Sequence, residues 1–131
     1  MLTFEAFNKM GYTAYAVSES SRRELLKHFE PKNPEVICHH VTYKFPASAS
    51  DPLPPAVHEA HVVGYAEQPG LEALVVEING STKRPDGKHY HITLSLDRSM
   101  KMKPVHSNDL VAKGFKQVPR FAIHLEPKFL S

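Results

Sequence analysis

The order of elements legible in this 131-residue chain predicts an α+β fold, mainly antiparallel sheet with helices covering one face. Three observations carry that expectation. Short runs rich in Val, Ile, Thr and aromatic residues follow one another between residues 12 and 127, with Gly, Pro and Asn at the breaks. One early segment has the apolar stripe of an amphipathic helix. A second, shorter helical stretch comes late, which gives the order β-α-β-β-β-β-α-β.

Each element has its own justification. "YTAYAV" (12–17) is short, aromatic and apolar, and reads as a strand. In "SESSRRELLKHFE" (18–30), Ser18 can cap, Glu19 and Glu24 favour the first turns, and Leu25, Leu26 and Phe29 form the stripe; Pro31 and Pro34 end it. "EVICHHVTYKF" (35–45) reads as one strand, and "PASASDPLPPA" (46–56) as a long proline-rich loop. Residues 57–68 and 71–78 read as a strand pair turned at Pro69–Gly70. A polar loop (79–88) leads into "HYHITLSLD" (89–97), whose clean alternation marks a strand. "SNDLVAKGF" (107–115) predicts a helical turn or two, capped by Ser107 and stopped at Gly114, and residues 115–127 a last strand, with an edge or a bulge at Pro119.

Length and composition predict one domain over residues 1–131, with 41% apolar residues to fill a core. The net charge of +2 argues against a non-specific DNA coater, which needs a broad basic stripe, and leaves room for a groove receiving one or a few phosphates. The only cysteine, Cys38, excludes an internal disulfide. No apolar core of signal-peptide length opens the chain, and no run approaches the roughly 20 apolar residues of a membrane span. The expectation is a cytoplasmic protein with no membrane association and no obligate protein partner. Nine histidines are the compositional oddity and point to acid–base work or metal binding.

Two of those histidines stand in matched settings. "HVTY" occupies residues 40–43 and "HITL" residues 91–94. Side chains two apart on a strand share a face, roughly 6.5–7 Å apart. His40 and Thr42 therefore share one face, with Val41 and Tyr43 opposite; His91 and Thr93 share another, with Ile92 and Leu94 opposite. If the strands lie near each other, two imidazoles and two hydroxyls converge on one volume, a set that matches a phosphodiester. A neutral histidine takes a proton from the attacking hydroxyl or water, a protonated one gives a proton to the leaving oxygen, and threonine hydroxyls donate to non-bridging oxygens. This chemistry needs no metal or other cofactor.

The pair resembles the double His-x-Thr-x signature of the 2H phosphoesterase superfamily. "YTAYAVSESSRRELLKHF", "VICHHVTYKF", "HYHITLSLD" and "KPVHSNDL" resemble, in order, blocks of its Swiss-army-knife RNA-repair-like branch and phage relatives. The resemblance spans most of residues 12–112, including His39 before His40, Lys103–Pro104 and Ser107–Asn108. It implies a bilobal arrangement of antiparallel β-sheets around a central groove, with helices packed on the outside. It also implies metal-independent cleavage of nucleotide phosphodiesters: 2′,3′-cyclic phosphates, RNA-like 3′-5′ linkages or cyclic oligonucleotide signals. The expected partner is then a nucleotide, cyclic nucleotide or RNA-end substrate. The chain departs from the branch in its proline-rich loop and at Tyr90, where proline is common.

Around the catalytic candidates His40, Thr42, His91 and Thr93, further side chains are candidates for substrate binding. Tyr12, at the end of the first strand, can stack a base. Ser81, Lys83 and Arg84, in the loop before the second motif, and Lys103, just after it, can meet phosphate. His39 is expected to point away from His40 as a structural residue, and Cys38 to share the face of His40. His58 and His61 lie three apart on a predicted strand, hence on opposite faces, and form no metal pair by themselves. Two other readings compete: a binding module that captures nucleotide or RNA ends without turnover, and a zinc-dependent hydrolase drawing on the histidine surplus.

Overall fold

In the computed structural model, which describes residues 11–131, the first predicted strand is β1 (Gly11–Val17) and the predicted helix is α1 (Glu19–His28). The part of the leader reading that concerns residues 1–10 lies outside the described residues. Ser18 caps α1 as expected, its Oγ accepting from the Ser21 N–H at 3.2 Å. Then come β2 (Glu35–Val36), β3 (His40–Ala47), β4 (Ala60–Gln68), β5 (Leu71–Ile78) and β6 (His91–Leu96). A short 3₁₀ turn (Arg98–Met100), α2 (His106–Ala112), β7 (Lys116–Ala122) and β8 (Leu125–Leu130) complete the chain.

The fold is α+β, and every strand pairing is antiparallel. One curled eight-stranded sheet runs β7-β4-β5-β6-β3-β1-β8, with β2 paired to β6 beside that path, where separate sheets had been expected. The helices do not share a face. Leu25 of α1 packs in a core with Val41, Leu74, Val76, Ile92 and Leu94. Leu110 and Val111 of α2 pack in a second core with Leu71, Ala73 and Val75. Alternate residues of β5 thus feed two cores, which is why "LEALVVEI" is almost continuously apolar.

Three expected elements differ. The single strand over 35–45 breaks between Val36 and His40, where Cys38 takes a left-handed φ of 45°. The strand expected from residue 57 starts at Ala60. The last strand is two, because the chain turns at Ile123–His124: the Ile123 N–H donates to Ala60 O (3.0 Å) and the His124 N–H to Ser21 Oγ (2.8 Å). Pro119 lies in β7, an edge strand, where its missing N–H costs no ladder bond. Ser107 does not cap α2, whose N-cap is Val105.

β3 and β6 meet at a single register pair, Val41 opposite Ile92. Before that pair the chain follows β6 closely: Glu35 and Val36 pair with Leu96 and Ser95, then the Ile37 and Cys38 N–H groups donate to Leu94 O and Thr93 O, both at 2.9 Å. Beyond Val41, β3 leaves β6 and, among the described residues, pairs with β1 alone. The sheet therefore forks. Nearby, the fully buried Glu72 anchors the segment after α1, its carboxylate accepting from the Lys32 N–H (2.7 Å), the Ser95 hydroxyl (2.5 Å) and the Tyr65 hydroxyl. Among the described residues no helix is long and apolar enough to cross a membrane.

Candidate active site

The fork holds a cavity of about 500 Å³ lined by all four motif residues, His40, Thr42, His91 and Thr93. The local pairing explains why the two motifs share a sequence. An antiparallel pair has a local two-fold axis. With Val41 opposite Ile92 and both fully buried, the residues flanking each of them turn to the other side, into the cavity. Because the strands run in opposite directions, His40 lies toward Thr93 and Thr42 toward His91. The histidines occupy opposite corners, with the threonines between.

His91 and Thr93 are held tightly. The Nδ1 of His91 lies 3.0 Å from His89 O. A carbonyl only accepts, so Nδ1 carries the proton and Nε2 is the free nitrogen. Burial pushes the His91 pKa down and the Arg84 charge adds to that, while the His89 carbonyl bond pulls the other way. Thr93 Oγ1 lies 2.8 Å from Ser107 Oγ on α2 and 3.5 Å from Pro104 O. Ser107 is fully buried, so α2 fixes the Thr93 hydroxyl from behind.

His40 is held differently. Its ring faces Tyr12 of β1 at a centroid distance of 5.1 Å, and its Nδ1 lies 3.0 Å from Nδ1 of His39. The expectation that His39 points away is overturned, because the left-handed backbone at Cys38 breaks the strand alternation. Cys38 itself is fully buried in the first core rather than on the face of His40, and burial raises its thiol pKa to about 11. Burial, then the neighbouring His39 and His91, lower the His40 pKa to about 4.

Of the substrate-binding candidates, Tyr12 and Arg84 line the cavity. Arg84 is 7% exposed; its Nε and Nη2 donate to the Asp86 carboxylate at 3.2 and 2.5 Å, and its Nη1 to Asn108 Oδ1 at 3.5 Å. Ser81, Lys83 and Lys103 do not line it. Ser81 Oγ accepts from the Lys83 N–H, Lys83 Nζ turns to Gly87 O, and Lys103 is exposed with its N–H donating to His106 Nδ1.

Several lining residues escaped the reading of the sequence: Asp86, Lys88 and Phe45. Phe45 is 70% exposed, unusual for a large aromatic side chain. Ser107–Asn108 had been noticed as a block, and that signal marked the segment behind the site.

The assembled groups supply a nitrogen base with a fixed tautomer, a second imidazole across the cavity, two hydroxyl donors, a fixed guanidinium, and aromatic surface at the rim. Among the described residues, no group of three or more His, Cys, Asp or Glu side chains is placed to hold a metal ion. No family model, curated protein or solved structure matches the chain.

Proposed function

We propose that this protein is a phosphodiesterase of the 2H type, cleaving nucleotide phosphodiesters by histidine acid–base chemistry without a metal. The observation that carries this reading is the two-fold arrangement of His40–Thr42 and His91–Thr93 about the Val41–Ile92 pair in one cavity. The 2H-like fold is part of the same proposal, with the fork between β3 and β6 as its central groove.

In this reading His91 is the general base. Its Nδ1–H is tied to a carbonyl and its pKa is pushed down, so near pH 7 the ring is neutral with a lone pair on Nε2. On an RNA-like substrate it takes the proton of the 2′-hydroxyl, which attacks the adjacent phosphorus; on a cyclic phosphate it takes the proton of water. Thr42 and Thr93 donate to the non-bridging oxygens, the Thr93 proton turning from Pro104 O to the substrate while Ser107 donates to Thr93 Oγ1, and His40 protonates the leaving oxygen. Tyr12 and Phe45 offer surfaces on which a base stacks.

The test is a product assay in EDTA with 2′,3′-cyclic nucleotides, short RNAs and cyclic di- and trinucleotides, read by mass. Chemical products in EDTA are expected. Stoichiometric binding without product replaces this reading with a capture module, and turnover only on adding zinc replaces it with a metal hydrolase. The pH profile has a defined sign. The base works when neutral, so kcat/KM rises with pH through the His91 pKa, and because that value is pushed below 6.5 the rising limb lies on the acid side of pH 6.5. A rising limb above pH 7 contradicts the assignment.

Ser107→Ala removes the hydroxyl behind Thr93. One net hydrogen bond corresponds to roughly a three- to tenfold loss, expected in kcat with KM nearly unchanged. Steady-state kinetics check this, and a loss confined to KM would mean that the tether serves binding alone.

A further inference from the structure

A proton donor at position 40 faces a physical difficulty. Its pKa is lowered to about 4 by burial and by the two neighbouring histidines, so near neutral pH the ring carries no charge. A neutral imidazole that gives up its Nε2 proton becomes an imidazolate unless Nδ1 gains a proton in the same event. The group at that Nδ1 is the Nδ1 of His39, 3.0 Å away. His39 is exposed, so its ring is open to water. Two Nδ1 atoms at this distance share one proton, and either ring can supply it.

We infer that His39 and His40 form a two-ring proton relay through their facing Nδ1 atoms, in which exposed His39 supplies the proton that half-buried His40 passes on. The inference rests on the proposed phosphodiesterase reading. In the step, the bond between phosphorus and the leaving oxygen breaks, and that oxygen takes the Nε2 proton of His40. The Nδ1 proton of cationic His39 passes to Nδ1 of His40. His39 ends neutral, and His40 ends neutral as the other tautomer. The proton of the attacking hydroxyl goes to His91, so one positive charge leaves His39 and one appears on His91. The cycle closes when solvent in the cavity returns a proton to Nε2 of His40, the shared proton moves back to Nδ1 of His39, and His91 gives its proton to solvent.

The surroundings fit this division of labour. The ring of His40 lies against Tyr12 from β1 and within electrostatic reach of His91 from β6, neither of which supplies an anion to hold a cationic ring. Across the cavity, Arg84 is occupied by Asp86, and Lys88 is a cation. From α1, Arg22 donates to Ile37 O just before the break in the strand. The left-handed residue Cys38 brings the two rings together, where an unbroken strand would have set them on opposite faces. His39 acts through His40 and is a positioning and proton-supplying residue.

The leaving group supplies the test. Two diesters of the same 3′-nucleotide are compared, one expelling a nucleoside alkoxide and one expelling p-nitrophenolate, which departs with little need of a proton. His39→Ala and His39→Gln are each expected to lose about 100-fold in kcat on the nucleoside diester, and at least tenfold less on the nitrophenyl diester. Their acid-catalysed limb in the pH profile should vanish on the first substrate only. A scalar coupling between the two Nδ1 nitrogens in ¹⁵N NMR of the wild-type protein is the activity-independent readout. Equal losses on both diesters, no loss on either, or an absent coupling overturns the relay alone. A wild-type protein inert toward both diesters overturns the phosphodiesterase reading, and the relay falls with it.

Discussion

His91→Ala is expected to lower kcat on a nucleotide phosphodiester by about 10²- to 10⁴-fold, the range for losing a positioned general base, while the chain still folds. His91 is 8% exposed at the start of β6, and among the described residues its ring's polar partner is the His89 carbonyl, so its loss leaves the ladder between β5 and β6 intact. His40→Ala should fall in the same range. The double variant should lose much less than the product of the two, because the imidazoles act as a unit on one phosphorus. Single-turnover kinetics measure the loss, and circular dichroism with urea unfolding confirms the fold. Activity within a few fold of wild type in either single variant removes the two-histidine mechanism.

Ile92→Ala is the largest expected effect on stability. Ile92 is fully buried, sits in the first core, and is the register partner of Val41 where β3 joins β6. Truncating a buried isoleucine costs about 2–5 kcal/mol, the upper part applying where neighbours cannot collapse into the space. Here the neighbours belong to strands already paired on their other sides, which limits collapse. Urea unfolding should show a lower midpoint with an unchanged slope. Because Ile92 lies between His91 and Thr93, kcat should also fall in the fraction that remains folded. A loss below about 1 kcal/mol would mean that the join at Val41–Ile92 is not where the sheet is held together.

Much of this was legible in the chain, for local reasons. β1, α1 and β5 follow from short-range pattern and capping, and the shared face of each His-x-Thr follows from strand alternation alone. The break at Cys38 was not legible: a left-handed φ usually announces itself with Gly or Asn, and here a cysteine in a β-rich run adopts it because the surrounding bonds impose it. The turn at Ile123–His124 is likewise made by distant partners, Ala60 and Ser21, that no local pattern names. Lys83 and Arg84 looked equivalent in sequence. They separate because the Arg84 N–H bonds Lys88 O in a tight loop, and its side chain turns inward to Asp86 and Asn108 while Lys83 stays in solvent. Ser107 read as a cap because serine ahead of an apolar run usually is one, yet its hydroxyl reaches across to Thr93.

The fork in the sheet also bears on association between molecules. Beyond Val41, one side of β3 has no strand neighbour among the described residues, so the middle of the sheet presents there what is normally found only at a rim: an edge onto which a foreign strand could add. The residues there discourage it. Lys44 carries a charge, and Pro46 has no N–H to offer. The opposing wall bristles with Arg84, Lys88 and His91 in place of a receptive backbone. The side chains proposed to receive a phosphodiester would thus also guard an interior seam against edge-to-edge aggregation.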